Sequence, residues 1–173
     1  MKKFVLCSAL LLLTASAPSL AYAQTRVEVG VPGLEGRQCY TKEEAEAEQA
    51  IKIHSELMVI ALNCQHMTPR GWKNFYQQYQ EITARNSSLI SNYENILITY
   101  FALAGKPNAE RAFHDLRTNF ANKVSTDAAQ MRPDIFCATF APRLPKVDKM
   151  SAADFRAWAA TPSGQLTRPL CQQ

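Results

Sequence analysis

Cys39 and Cys64 bracket one uninterrupted helical pattern, and no other feature of the chain restricts its fold as strongly. Thr41 supplies an N-cap side chain and Glu44 follows three residues later, the spacing of a capping box. Glu43, Glu44, Glu46 and Glu48 occupy the opening turns, where carboxylates interact favourably with the helix dipole. From Ala50 onward Ile53, Leu57, Met58, Ile60, Ala61 and Cys64 recur largely at spacings of three and four. A helix over residues 42–64 holds the flanking cysteines about 35 Å apart at 1.5 Å per residue, whereas a disulfide needs Cα atoms within about 7 Å. These two cysteines therefore need other partners.

The stretch Met67-Thr68-Pro69-Arg70-Gly71 breaks that helix. A second helix of about thirty residues is predicted from the three-and-four recurrence running from Trp72 through Tyr76, Tyr79, Tyr93, Tyr100 and Phe101, with a bend expected near Asn86-Ser87-Ser88. Gly105, Pro107 and Asn108 end it and start a third, which runs through Phe113, Leu116, Phe120 and Val124 to Met131. Residues 134–140 predict a short further helix. The prolines at 142 and 145 make 141–149 read as a loop, and Ser151 with Asp154 caps a last short helix. No segment alternates as a strand does. The prediction is an all-α, up-down bundle of three main helices plus short C-terminal ones.

An up-down-up path brings the end of the first helix, at Cys64, beside the end of the third, just before Cys137. Cys39 is left for Cys171, which ties an otherwise featureless tail to the start of the bundle. No two cysteines have the Cys-x-x-Cys spacing of a redox motif, so the four read as structural bridges.

A fifth cysteine, Cys7, falls within an apolar run that follows Lys2-Lys3 and precedes Ala21-Tyr22-Ala23, the three-part layout of a secretory signal over residues 1–23. Residues 24–38 then read as a flexible N-terminal segment and 39–173 as a single helical domain. No later segment reaches the ~20 apolar residues that span a bilayer. Such a signal would remove two of the 19 basic residues and none of the 15 acidic ones, so the net charge drops from +4 to +2. A near-neutral chain gives no case for electrostatic nucleic-acid binding. The expected location is periplasmic or secreted.

The sequence carries no recognisable catalytic set, metal site or cofactor motif. His54, His66 and His114 lack the short ligand spacings of zinc sites, and Cys-x-x-Cys-His, phosphate-cradling glycine loops and nucleophile elbows are absent. The aromatic stripe has two readings: core packing, or a ligand groove lined by Trp72, Tyr76, Tyr79, Tyr93 and Tyr100. At Glu56-Leu57-Met58-Val59-Ile60-Ala61-Leu62-Asn63-Cys64, Phe136-Cys137 and Pro169-Leu170-Cys171 the chain resembles small exported helical proteins of alphaproteobacteria. That resemblance implies a disulfide-bonded envelope protein and carries over no activity. The functional expectation is an exported non-enzymatic protein that binds an envelope protein or a cell-wall component. The alternatives are a carrier of an apolar small molecule between the helices, motivated by the stripe, and a hydrolase of envelope polymers.

Overall fold

The computed structural model describes residues 36–161 and 165–172. The signal expected at 1–23, and the lead-in up to residue 35, lie outside them. Helix α1 (Lys42–Cys64) begins at the predicted capping box: the Thr41 hydroxyl accepts the Glu44 N–H at 3.2 Å, and the Glu44 carboxylate accepts the Thr41 N–H at 2.7 Å. Its buried residues cover most of its girth, from Ala47, Ala50 and Ile51 to Leu57, Ile60 and Ala61. A helix apolar nearly all round belongs in the middle of a bundle. Every other described α-helix packs against it.

A 3-10 turn (Gln65–Met67) and a loop containing Gly71 at φ 84° follow. The single helix predicted from Trp72 is two. Asn74 caps α2 (Phe75–Arg85), its side chain accepting the Tyr76 N–H at 2.8 Å, so Trp72 stays in the loop. At Asn86 the backbone leaves the α region (φ −105°, ψ 13°), and the side-chain amide donates to the Ile82 carbonyl at 2.8 Å before α3 (Ser87–Leu103) resumes. Here a side chain competes with the backbone ladder at the expected bend. Helix α3 ends in a Schellman motif: Gly105, at φ 75°, and Lys106 donate to the carbonyls of Ala102 and Phe101.

Helix α4 (Ala109–Gln130) starts at its Asn108 cap and runs back up the bundle, and Pro133 opens α5 (Pro133–Phe140). The loop expected at 141–149 contains α6 (Arg143–Asp148), with Pro142 at its N-cap and Pro145 in its first turn. Proline is tolerated there because first-turn amides have no helical acceptor in any case. Leu144 and Val147, both buried, set its inward face. The second predicted capping box, Ser151 with Asp154, starts α7 (Ala152–Ala159). Among the described residues the one β feature is an isolated parallel bridge between Tyr40 and Leu170.

The architecture is thus the predicted all-α bundle, with its middle helix broken in two. Both predicted bridges are present, Cys64–Cys137 with Cα atoms 5.5 Å apart and Cys39–Cys171 with Cα atoms 4.9 Å apart. The tail is fastened at two further points. Tyr40 donates to the Pro169 carbonyl and accepts from Cys171, both at 2.8 Å, and the buried Glu48 accepts the Thr167 N–H at 2.7 Å and the Thr167 hydroxyl. Residues 36–38 also lie on the bundle: Gly36 donates to the Leu103 carbonyl at 3.1 Å, and Arg37 pairs with Glu44. No described helix is long and apolar enough to cross a membrane.

Candidate functional site

The five aromatic residues predicted as a groove do not share one. Trp72 is 56 % exposed in the loop before α2, and Tyr76 is half-buried with its ring stacked 6.3 Å from that of Tyr79. Tyr79, Tyr93 and Tyr100 are buried, and their hydroxyls meet partners on or beside α1. Tyr79 reaches His54, Tyr93 donates to Glu46 and Tyr100 donates to the Arg37 carbonyl. Tyr100 also packs edge-on against Tyr40, with ring centroids 4.6 Å apart. The stripe from α2 to α3 is core packing whose polar tips are satisfied against the central helix.

Three of the four acidic residues that open α1 are likewise used by the structure, and Glu43 is exposed. Glu44 closes the capping box and holds Arg37, Glu46 accepts from Tyr93, and Glu48 clamps the tail. His54 is 3 % exposed and fixed between Tyr79 and Thr83, while His66 and His114 are exposed. Among the described residues no group of three or more His, Cys, Asp or Glu is placed to hold a metal ion.

The arrangement with chemical capacity lies elsewhere, in a cleft of about 520 Å³ between α1, α4, α6 and α7. From α1 it takes Lys52, Ile53, Glu56 and Ile60, and from α4 it takes Lys123, Val124 and Asp127. Packing of the apolar faces, with Ile53 and Ile60 of α1 and Phe113 and Leu116 of α4 buried, sets the rotation of each helix, and the two Lys-x-x-x-acid pairs, Lys52/Glu56 and Lys123/Asp127, line the same space at one-turn spacing. Helix α6 adds Arg143, Lys146 and Val147, and the remaining wall is Phe140 and Trp158. An apolar floor is therefore rimmed by four cations and two carboxylates.

Arg143 links the two kinds of surface. Its guanidinium lies 3.4 Å from Glu56 and 5.0 Å from the Phe140 ring centroid. Burial pushes the Glu56 carboxyl above the usual carboxylate range, against the opposing pull of Lys52, Arg143 and Lys123, and Asp127 adds to the rise. The cleft can thus present cationic donors, two carboxylate acceptors and aromatic surface to one ligand, within the size range of small-molecule sites.

Sequence reasoning missed this cleft. Lysine and an acid at i, i+4 is the ordinary pattern of a solvated helix face, and α6, which completes the wall, was expected to be a loop. The repetition of that pair on two helices was the one signal available.

The class defined by this geometry is a disulfide-stapled, all-α bundle with a mixed-charge cleft. Comparison with protein-family models, curated proteins and solved structures found no match to the chain.

Proposed function

We propose that the chain is an exported, non-enzymatic binding protein of the bacterial envelope that holds an acidic cell-wall component in the cleft between α1, α4, α6 and α7. One observation carries this reading: Lys52, Lys123, Arg143 and Lys146 surround an apolar and aromatic floor that also offers the carboxylates of Glu56 and Asp127. A sugar–peptide fragment of a cell wall has matching parts. Its carboxylates suit the cationic rim, its amide, amino and hydroxyl donors suit the two acidic side chains, and its apolar ring faces suit Trp158 and Phe140. Two disulfides fit an oxidising compartment, as does the secretory layout read at residues 1–23.

Calorimetric titration of the mature chain with soluble sugar–peptides from a cell-wall digest tests the proposal, with neutral glucan oligosaccharides as the control. Saturable binding of the acidic fragments alone, weakened about tenfold or more by Lys52→Gln with Lys123→Gln, is the expected result. No heat from the digest, or equal binding of the neutral sugars, would overturn it.

Glu56 and Asp127 on one cleft also favour a second reading, a hydrolase of envelope polymers. Glycoside hydrolysis uses one carboxyl held protonated and one held ionised, and burial moves Glu56 toward the first state. Release of reducing ends from cell-wall polymer by the wild type, abolished in Glu56→Gln, would establish this reading. Binding without turnover would exclude it.

A further inference from the structure

A second hollow, of about 560 Å³, lies where the α3–α4 turn, the first turns of α4 and the C-terminal tail meet. Its floor is Phe101 and Leu116, both buried, with Pro107 beside them. Three cationic residues from three separate segments line it: Lys106 from the turn, Arg111 from α4 and Arg168 from the tail. Asp115 is the one acidic residue among the described residues of the lining. None of the three cations is ion-paired among the described residues, in contrast to Arg143 of the first cleft, and Arg168 has a neutral partner, the Tyr100 hydroxyl. In the first turn of α4 the Asn108 side chain already accepts the Arg111 N–H at 2.8 Å. The charged groups of the lining that carry the positive character are the side chains of Lys106, Arg111 and Arg168.

Arg168 is in place only because the tail is fastened around it. Thr167, before it, is clamped by Glu48; Pro169, after it, accepts from Tyr40; Cys171 is bonded to Cys39. Residues 165–172 have no helix of their own to hold them, so the third cation depends on these attachments.

We propose that this hollow binds a phosphomonoester with an apolar body, and that it is assembled by the Cys39–Cys171 disulfide. A tetrahedral phosphate offers three terminal oxygens to donors arriving from three directions, whereas a carboxylate offers two oxygens in one plane. The planar guanidinium groups of Arg111 and Arg168 suit phosphate recognition, and Lys106 adds a point charge. The carbon body of the ester packs on Phe101, Leu116 and Pro107. This site shares no residue with the first cleft, so neither proposal depends on the other.

Phenyl phosphate is the probe, titrated calorimetrically into the mature chain beside inorganic phosphate and beside vesicles containing phosphatidic acid. The expected result is single-site binding of phenyl phosphate, tighter than inorganic phosphate because of the apolar floor. Arg168→Gln should weaken it about tenfold or more, and Cys39→Ser with Cys171→Ser should do the same. Lys123→Gln, in the other cleft, should leave it unchanged. Vesicle binding that is tighter than ester binding and equally sensitive to Arg168→Gln would identify the phosphate as a lipid headgroup; preference for the free ester would identify a soluble ligand. Absence of binding to both ester and vesicles, or binding indifferent to Arg168→Gln in a variant that keeps the wild-type melting temperature, would overturn the proposal.

Discussion

The hydroxyl oxygen of Tyr79 lies 3.1 Å from Nε2 of His54, and Thr83 Oγ1 lies 3.0 Å from the same nitrogen. The Thr83 proton is committed to the Tyr79 carbonyl at 2.9 Å, which leaves its oxygen as an acceptor toward the ring. Nδ1, on the other side of the imidazole, is buried without a hydrogen-bond partner among the described residues. Protonation would bury both a charge and an unmatched N–H. Burial first, and Arg117 second, lower the His54 pKa from 6.5 to about 4.

Acid should therefore destabilise the fold through this residue. Between pH 6.5 and 4 the unfolded chain takes up a proton that the folded chain refuses, so stability falls as pH drops through that window. The loss reaches about 3 kcal/mol by the lower limit. Urea midpoints followed across this range check it: His54→Gln should show a shallower decline than the wild type, and parallel curves would refute the assignment.

The legibility of this fold varied with the range of the interaction that decides each part. Local signals were readable: both capping boxes, the Asn108 cap and the glycine stop at Gly105 were where the chain indicated. The disulfide pairing was readable as well, because a 23-residue helix between Cys39 and Cys64 leaves few arrangements. The start of α2 was not, since Trp72 fits the helical period although Asn74 makes the cap. Helix α6 was hidden by Pro142 and Pro145, whose helix-breaking effect does not apply at a first turn. Both hollows depend on which faces of distant helices meet. Lys52 and Lys123, or Arg111 and Arg168, share no local pattern that could announce their convergence.

Removing the Glu48 carboxylate should loosen the tail without disturbing the bundle. Glu48 is 1 % exposed and accepts two hydrogen bonds from Thr167, and bonds to a charged acceptor contribute more than neutral ones. Glu48→Ala should cost about 2–3 kcal/mol, the scale of losing charge-assisted bonds. Hydrogen exchange provides the check: the amides of Thr167 and Cys171 should exchange faster, while those in the middle of α1 keep their order of protection.

The two bridges should differ in what their loss does to the structure. Both close long loops, 73 and 132 residues apart in sequence, so loop entropy alone assigns each about 4–5 kcal/mol. Cys64 and Cys137 are also buried in the core where α1 meets α5, so alanines there leave a void in addition. Cys64→Ala with Cys137→Ala should lower the melting temperature by about 10 °C or more. Cys39→Ala with Cys171→Ala should lower it less and preserve the helical circular dichroism, because that bridge fastens a tail without helix.

The buried tyrosines predict a matching weakness in alkali. Tyr93 donates to Glu46 from a site 2 % exposed, and burial followed by the neighbouring carboxylate raises its pKa from 10 to about 12. Burial also raises Tyr40, Tyr79 and Tyr100. A tyrosine whose folded pKa exceeds its unfolded one keeps its proton in the bundle while the open chain has already lost it, so stability declines as pH rises above 10. Tyr93 alone accounts for at most about 2 kcal/mol of that decline by pH 12, because the partly exposed Glu46 and Arg156 beside it are screened by water. Two readouts test this together: tyrosinate absorbance should lag that of the urea-unfolded chain, and Tyr93→Phe should flatten the fall in stability above pH 10. A tyrosinate titration identical in the folded and unfolded chains would mean that these hydroxyls reach water, and the core packing of the aromatic stripe would have to be abandoned with the prediction.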